Sequence, residues 1–155
     1  MRRLLPILLL FAACATSTTS SNPTADVNRV VDEWHRAAAT ADETRYFEAM
    51  APEFVFLGTD ATERWDVASF REFAHPHFAS GKGWTFVPRE RHVIFSPDHT
   101  IAWFDEKLDS ASYGECRGSG VLRRDRGTWK MAHYNLTIPI PNDLSKSVVE
   151  MIKKQ

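Results

Sequence analysis

Residues 100–138 read TIAWFDEKLDSASYGECRGSGVLRRDRGTWKMAHYNLTI. Residues 100–110, 113–124 and 128–138 each read as a strand, whose side chains alternate between two faces with a period of two. The breaks between them, Ala111-Ser112 and Asp125-Arg126-Gly127, are turn chemistry. Upstream, residues 84–95 form a fourth such segment, ended by Ser96-Pro97-Asp98-His99. Strands joined by links this short pair as an antiparallel meander. The second half of the chain is therefore expected to be one sheet.

The first half has a different period. Val27, Val30, Val31, Trp34, Ala37, Ala38 and Ala41 recur at helical spacing, which predicts an amphipathic helix over 26–41 capped by Thr24 or Asp26. Asp42 opens a second, short helix to Met50 that buries Tyr46 and Phe47, with Pro52 beyond its end. Residues 53–59 (EFVFLGT) read as a short strand and 58–66 as a loop. Asp66 caps a third helix with Val67, Phe70, Phe73 and Ala74 on its apolar side, and Pro76 is expected to kink or end it. Leu144, Val148, Val149 and Ile152 give a polar terminal helix or tail over 145–155. Helices first and strands after is the pattern of an α+β domain.

The 155 residues suit one domain. With 43% hydrophobic residues and 25% charged ones, the chain is composed like an ordinary globular protein. Nineteen basic against 20 acidic residues argue against nucleic-acid binding, which needs a basic excess. Ten Phe and five Trp can build a core or line a pocket. Two Cys exclude a disulfide framework.

Met1-Arg2-Arg3 followed by the apolar run Leu4 to Phe11 reads as a secretory signal, too short to span a bilayer, which needs ~20 apolar residues. Its end, Phe11-Ala12-Ala13-Cys14, resembles the lipobox of bacterial lipoproteins. On that resemblance residues 1–13 are removed and Cys14 is lipidated. Residues 14–25 form a tether, small and polar as in ATSTTSSNPT, and the domain spans 26–144. The protein is then exported and membrane-anchored. Ala15 after Cys14 implies the periplasmic face of the outer membrane in a two-membrane host. Cys116 remains as a lone thiol, expected to be buried.

Three helices, a strand after the second and then a long antiparallel sheet resemble the cone of the nuclear transport factor 2-like (NTF2-like) superfamily. Gly58, Glu63 and Trp65 resemble the segment before the third helix in its SnoaL-like members. Ala102-Trp103-Phe104-Asp105-Glu106, Arg117-Gly118-Ser119-Gly120-Val121-Leu122 and residues 129–136 (WKMAHYNL) resemble the strand motifs of that subgroup, and Pro141-Asn142-Asp143 fits after the last strand. The resemblance implies a conical pocket for a small molecule. It spans isomerases, cyclases, dehydratases, hydrolases and pure binding domains, so it fixes a fold and not a reaction. It also implies a homodimer through the open sheet face. Family enzymes use an inward carboxylate helped by a Tyr or Asp donor. The first helix here offers Trp34 and His35 where a steroid isomerase has a Tyr, and Tyr46 sits in the second helix.

Alternation puts Trp129, Met131, His133, Asn135 and Thr137 on one face of the last strand, the row that resembles the family's pocket wall. Lys130, Ala132, Tyr134, Leu136 and Ile138 take the other. The ligand-pocket residues expected are Trp65, Arg117, Ser119, Met131, His133 and Asn135. The catalytic candidates are His133, which either moves a proton or is a core histidine, and one of Glu106 and Asp105, whose inward member parity leaves open. Arg117 either anchors an anionic ligand or pairs with Glu106 across strands. Arg89, Arg91, Arg123, Arg124 and Arg126 read as solvated. His75-Pro76-His77 is the only close histidine pair and lacks an HExxH or CxxC context, so no metal and no cofactor is expected.

Overall fold

The computed structural model describes residues 22–154, so Cys14 and the expected signal segment lie outside the described residues. Helix α1 (Pro23–Ala39) starts earlier than expected, because Asn22 is its cap. The Asn22 side chain accepts the Thr24 and Ala25 amides at 3.1 and 3.4 Å, and Pro23 occupies the first turn, where no amide is needed. Helix α2 (Glu43–Glu48) follows at once, with Asp42 accepting the Arg45 amide at 3.1 Å. Strand β1 (Met50–Leu57) also begins earlier than expected and carries Pro52 within it. The expected loop holds a three-residue strand, β2 (Arg64–Asp66), antiparallel to β1.

Asp66 and Ser69 close a reciprocal capping box at the start of helix α3 (Val67–Ala79). Pro76 does not end this helix, which continues to Ala79. The proline withdraws a single amide from the last turns, and the Pro76 carbonyl still accepts the Ser80 amide at 3.3 Å. Strand β3 (Val87–Phe95) starts later than expected. Residue 83 is pinned to α1: a Cβ on Gly83 would lie 1.7 Å from the Ala38 carbonyl oxygen. Strands β4 (Ile101–Ser110), β5 (Gly114–Asp125) and β6 (Thr128–Thr137) complete the meander. Arg126 and Gly127 both have positive φ, as a two-residue hairpin requires. The short helix α4 (Ser145–Ile152) buries no residue.

The sheet order is β2-β1-β6-β5-β4-β3, antiparallel except for the β1–β6 pair. This is an α+β fold with a curved, unclosed sheet whose inner face is covered by α1 to α3. The core sits between them, around Trp34, Tyr46, Phe54, Phe70, Leu108 and Tyr134. Cys116 is buried there, and burial pushes its thiol pKa up.

One irregularity decides which residues face the core. In the β5–β6 ladder Leu122 pairs with Met131 but Val121 pairs with His133, leaving Ala132 as an extra residue. This β-bulge reverses the alternation of β6. Trp129 and Met131 point inward before it, Tyr134 and Leu136 after it.

Candidate functional site

Strand β4 turns Ala102, Phe104, Glu106 and Leu108 to the core. Glu106 is 1% exposed, and an ionised carboxylate so placed costs several kcal/mol unless paired. Both of its oxygens are engaged. Oε1 accepts the Tyr134 hydroxyl at 2.8 Å and lies 2.7 Å from His35 Nε2. Oε2 accepts Arg91 Nε and Nη2 at 2.9 and 2.7 Å. Arg91 Nη1 reaches on to Asp32 at 2.8 Å and to Asn28, so the guanidinium ties β3 to α1. Burial alone would raise the Glu106 pKa, but the His35 hydrogen bond and charge, with Arg91 behind them, hold it below the ordinary carboxylate range. The Tyr134 pKa is pushed well up by burial and by the adjoining Glu106 charge. Gly118 makes the close approach possible: a Cβ there would lie 2.2 Å from the Tyr134 hydroxyl and 2.8 Å from Glu106 Oε1.

One cavity adjoins this cluster, and a second lies beside the first. The inner one, about 10 Å³, is bordered by Trp34, His35, Tyr46 and Tyr134. It has room for about one water. Trp34 Nε1 and the Tyr46 hydroxyl are buried without a hydrogen-bond partner among the described residues. Burial pushes the Tyr46 pKa well up. The outer cavity is about 160 Å³ and opens between β1, α3 and the 83–86 segment. Trp65, Phe70, Phe73, Trp84, Phe86 and Tyr113 wall it, and Glu63 is its one charged residue among those described. Phe56, Trp84, Phe86 and Leu136 border both cavities. These four residues stand between the outer cavity and the inner one beside His35 and Tyr134.

The SnoaL-like domain family matches residues 27–141. This chain belongs to that family. The SnoaL-like domain also resembles solved structures of the NTF2-like group. An NTF2-like protein of unknown function from Pseudomonas putida KT2440 superposes with TM-score 0.63 at 12% identity, over 77% of this chain and 88% of that one. A putative dehydratase of the NTF2-like family from Streptomyces avermitilis gives 0.64 at 11%, over 76% and 96%. A putative calcium/calmodulin-dependent protein kinase II association domain from Xanthomonas campestris gives 0.56 at 20%, over 75% and 86%. These likenesses establish the NTF2-like, cystatin-like cone. No curated protein matches the chain.

In this SnoaL-like domain only some of the sequence-picked residues stand together. Trp65 lines the outer cavity. Met131 is buried in the core and borders neither cavity. Arg117, Ser119, His133 and Asn135 stand on the outer sheet face, as their ladder partners Lys107, Asp105, Val121 and Ser119 do. They do not line the cone, and the β6 bulge is the reason for His133 and Asn135. Burial, then the Arg64 charge, lowers the His133 pKa. Of the two carboxylates Glu106 looks inward and Asp105 outward. Arg117 pairs across the ladder with Lys107, while Glu106 opposes Gly118. Arg91, read as solvated, has a side chain only 7% exposed and is the true partner of Glu106.

Sequence reasoning also passed over His35 and Tyr134 as site residues. His35 was visible only as a polar residue beside Trp34 on the buried side of α1. Tyr134 carried no signal, because strict alternation set it on the face opposite His133. Among the described residues no group of three or more His, Cys, Asp or Glu is placed to hold a metal ion, and no helix is long and apolar enough to cross a membrane.

Proposed function

We propose that this SnoaL-like domain binds a small molecule in the aromatic cavity and is held at the cell envelope by a lipid on Cys14. The observation that carries the binding reading is a 160 Å³ cavity walled by aromatic rings and open to solvent in the isolated chain. A cavity of about 150 Å³ accommodates a benzene-sized guest. Trp65 and Trp84 report on it directly. Titrating the full chain with one-ring apolar compounds is expected to change tryptophan emission saturably, and Trp84→Leu is expected to weaken the response at least fivefold. A strictly linear, unsaturable response from every compound overturns the reading.

The anchor reading rests on Met1-Arg2-Arg3, the apolar run and Ala12-Ala13-Cys14. Growth with an alkyne fatty acid is expected to label the wild-type protein, and Cys14→Ser is expected to lose the label and enter the soluble fraction. Labelling that survives Cys14→Ser sinks it.

A second reading, cofactor-independent proton transfer, is favoured by the geometry of His35. Its Nε2 is held by Glu106, which fixes the tautomer with the proton there. Nδ1 makes no hydrogen bond among the described residues; in the neutral ring it is the base, becoming the cation paired with Glu106 once it takes a proton, and His35 borders the inner cavity. Isomerase, dehydratase or hydrolase chemistry at that nitrogen requires a guest to displace Trp84 or Phe86. His35→Gln is expected to abolish turnover of any compound the pocket binds while leaving its binding intact. Undiminished turnover in that variant excludes His35 as the base. The outer sheet face, which no helix covers among the described residues, supports a homodimer as the partner.

A further inference from the structure

The walls of the outer cavity carry a single sign of charge. Aromatic rings can hold a cation over a face, and seven residues of the wall are aromatic: Phe56, Trp65, Phe70, Phe73, Trp84, Phe86 and Tyr113. The one charged residue beside them is the carboxylate Glu63, and no Lys or Arg lines the cavity among the described residues. Glu63 is fixed in place rather than swinging free. Its Oε2 accepts the Asp60 amide at 3.1 Å, its backbone carbonyl accepts the Gly58 amide at 2.9 Å, and its own amide donates to Asp60 at 3.0 Å. Its side chain lies in the space a Cβ on Gly58 would fill, 2.2 Å from Oε2. Oε1 makes no hydrogen bond among the described residues and is left for a guest.

We propose that this cavity recognises a small organic cation, an amine carrying methyl or similar short alkyl groups, through its aromatic walls and Glu63. The inference deepens the small-molecule reading above and rests on it. An anionic guest is repelled by Glu63 and finds no Lys or Arg among the described lining residues. A neutral guest buries apolar surface but gains nothing from the carboxylate. A hard metal ion demands about six or more oxygen ligands, and these walls are carbon. A methylated ammonium is weakly hydrated and spreads its charge over its methyl groups, so it enters an apolar site cheaply and gains from both rings and carboxylate. The volume is right for a guest of about seven heavy atoms, by comparison with the benzene-sized cavity of ~150 Å³.

The test uses the full chain, choline, and the uncharged carbon isostere 3,3-dimethylbutan-1-ol, which has the same shape. Tryptophan emission is followed during titration with each. Choline is expected to bind about tenfold more tightly than the isostere. Glu63→Gln retains an oxygen for the Asp60 amide, so the fold should hold with an unchanged melting temperature, and it is expected to erase most of that preference. Raising salt should weaken choline and leave the isostere unchanged. Equal binding of the two compounds overturns the cation assignment and leaves the small-molecule reading standing. Binding of neither overturns the cation assignment, and the one-ring titration then decides the small-molecule reading separately. A preference that survives Glu63→Gln also overturns it, because the carboxylate would then contribute nothing.

Discussion

Glu106 is where a single side chain carries most consequence. Its carboxylate neutralises Arg91 and holds His35 and Tyr134, so Glu106→Gln leaves a guanidinium without its charge partner in a nearly dry setting. Breaking a buried pair in this way costs about 3–5 kcal/mol, to be read from urea unfolding. Replacing Glu106 by Leu and Arg91 by Met together should cost less than either change alone, because no orphan charge remains. The folded-state pKa of Glu106 lies below its unfolded value, so the unfolded chain binds more protons as pH falls. Its stabilisation is fully present above the unfolded value, about pH 4.3, and is lost as pH falls through the depressed folded value. Asp60, Asp66 and Asp98 are lowered too, by hydrogen bonds at the surface, and add their own acid dependence. The difference between wild type and Glu106→Gln isolates the buried group, and it should shrink below about pH 4. A difference that stays constant from about pH 7 to about pH 3 would mean that folding leaves the Glu106 pKa unshifted.

At the scale of elements, the bulge in β6 determines the interior. Removing Ala132, the one unpaired residue, would leave Met131, His133 and Tyr134 in strict alternation, inward, outward, inward, so every large side chain keeps its face. The deletion is therefore expected to straighten β6 and to shift the melting temperature little. A sharp drop in the melting temperature would show that the bend supplied by the bulge is itself needed to wrap the sheet over the helices. Gly118→Ala probes the same register from β5. Its Cβ would meet Tyr134 and Glu106, and overpacking of this kind costs ~1–3 kcal/mol. The strands, the helices and the α+β order were legible because each rests on a local period. The site was not, because a strict two-residue count along WKMAHYNL overrides the one mark the bulge leaves, large apolar residues at 129 and 131 and then at 134 and 136. Arg91 was misread for a related reason, since its solvation depends on α1 supplying Asn28 and Asp32 from 63 and 59 positions away. The Gly-x-Gly of β5 was legible as a motif, but its purpose, room for Tyr134 and Phe104, needed the packed sheet.

At the scale of the whole molecule, the sheet has two unlike faces. The inner one is filled by α1 to α3 and closes on the cone. The outer one carries Ile94, Trp103, Val121 and His133 side by side across β3 to β6, with no element over them among the described residues. Trp103 is 42% and Ile94 51% exposed, an apolar row that water meets directly in the isolated chain. Around it stand charges of both signs, including the Lys107–Glu90 pair at 2.8 Å, which gives the patch a polar rim. An apolar centre inside a polar rim is the anatomy of an interface, and a two-fold pairing of identical faces needs no complementary surface elsewhere. A specific dimer buries about 800 Å² per partner, so the contact would have to extend over several strands around Trp103. Sedimentation velocity at micromolar concentration is therefore expected to show a dimer, and Trp103→Asp a monomer with an unchanged melting temperature for the domain. The cone opens on the other face, so ligand binding in the Trp103→Asp monomer should match wild type. A wild-type monomer would return this row to ordinary exposed surface, and loss of ligand binding in the monomer would show that the pocket's shape depends on the second copy.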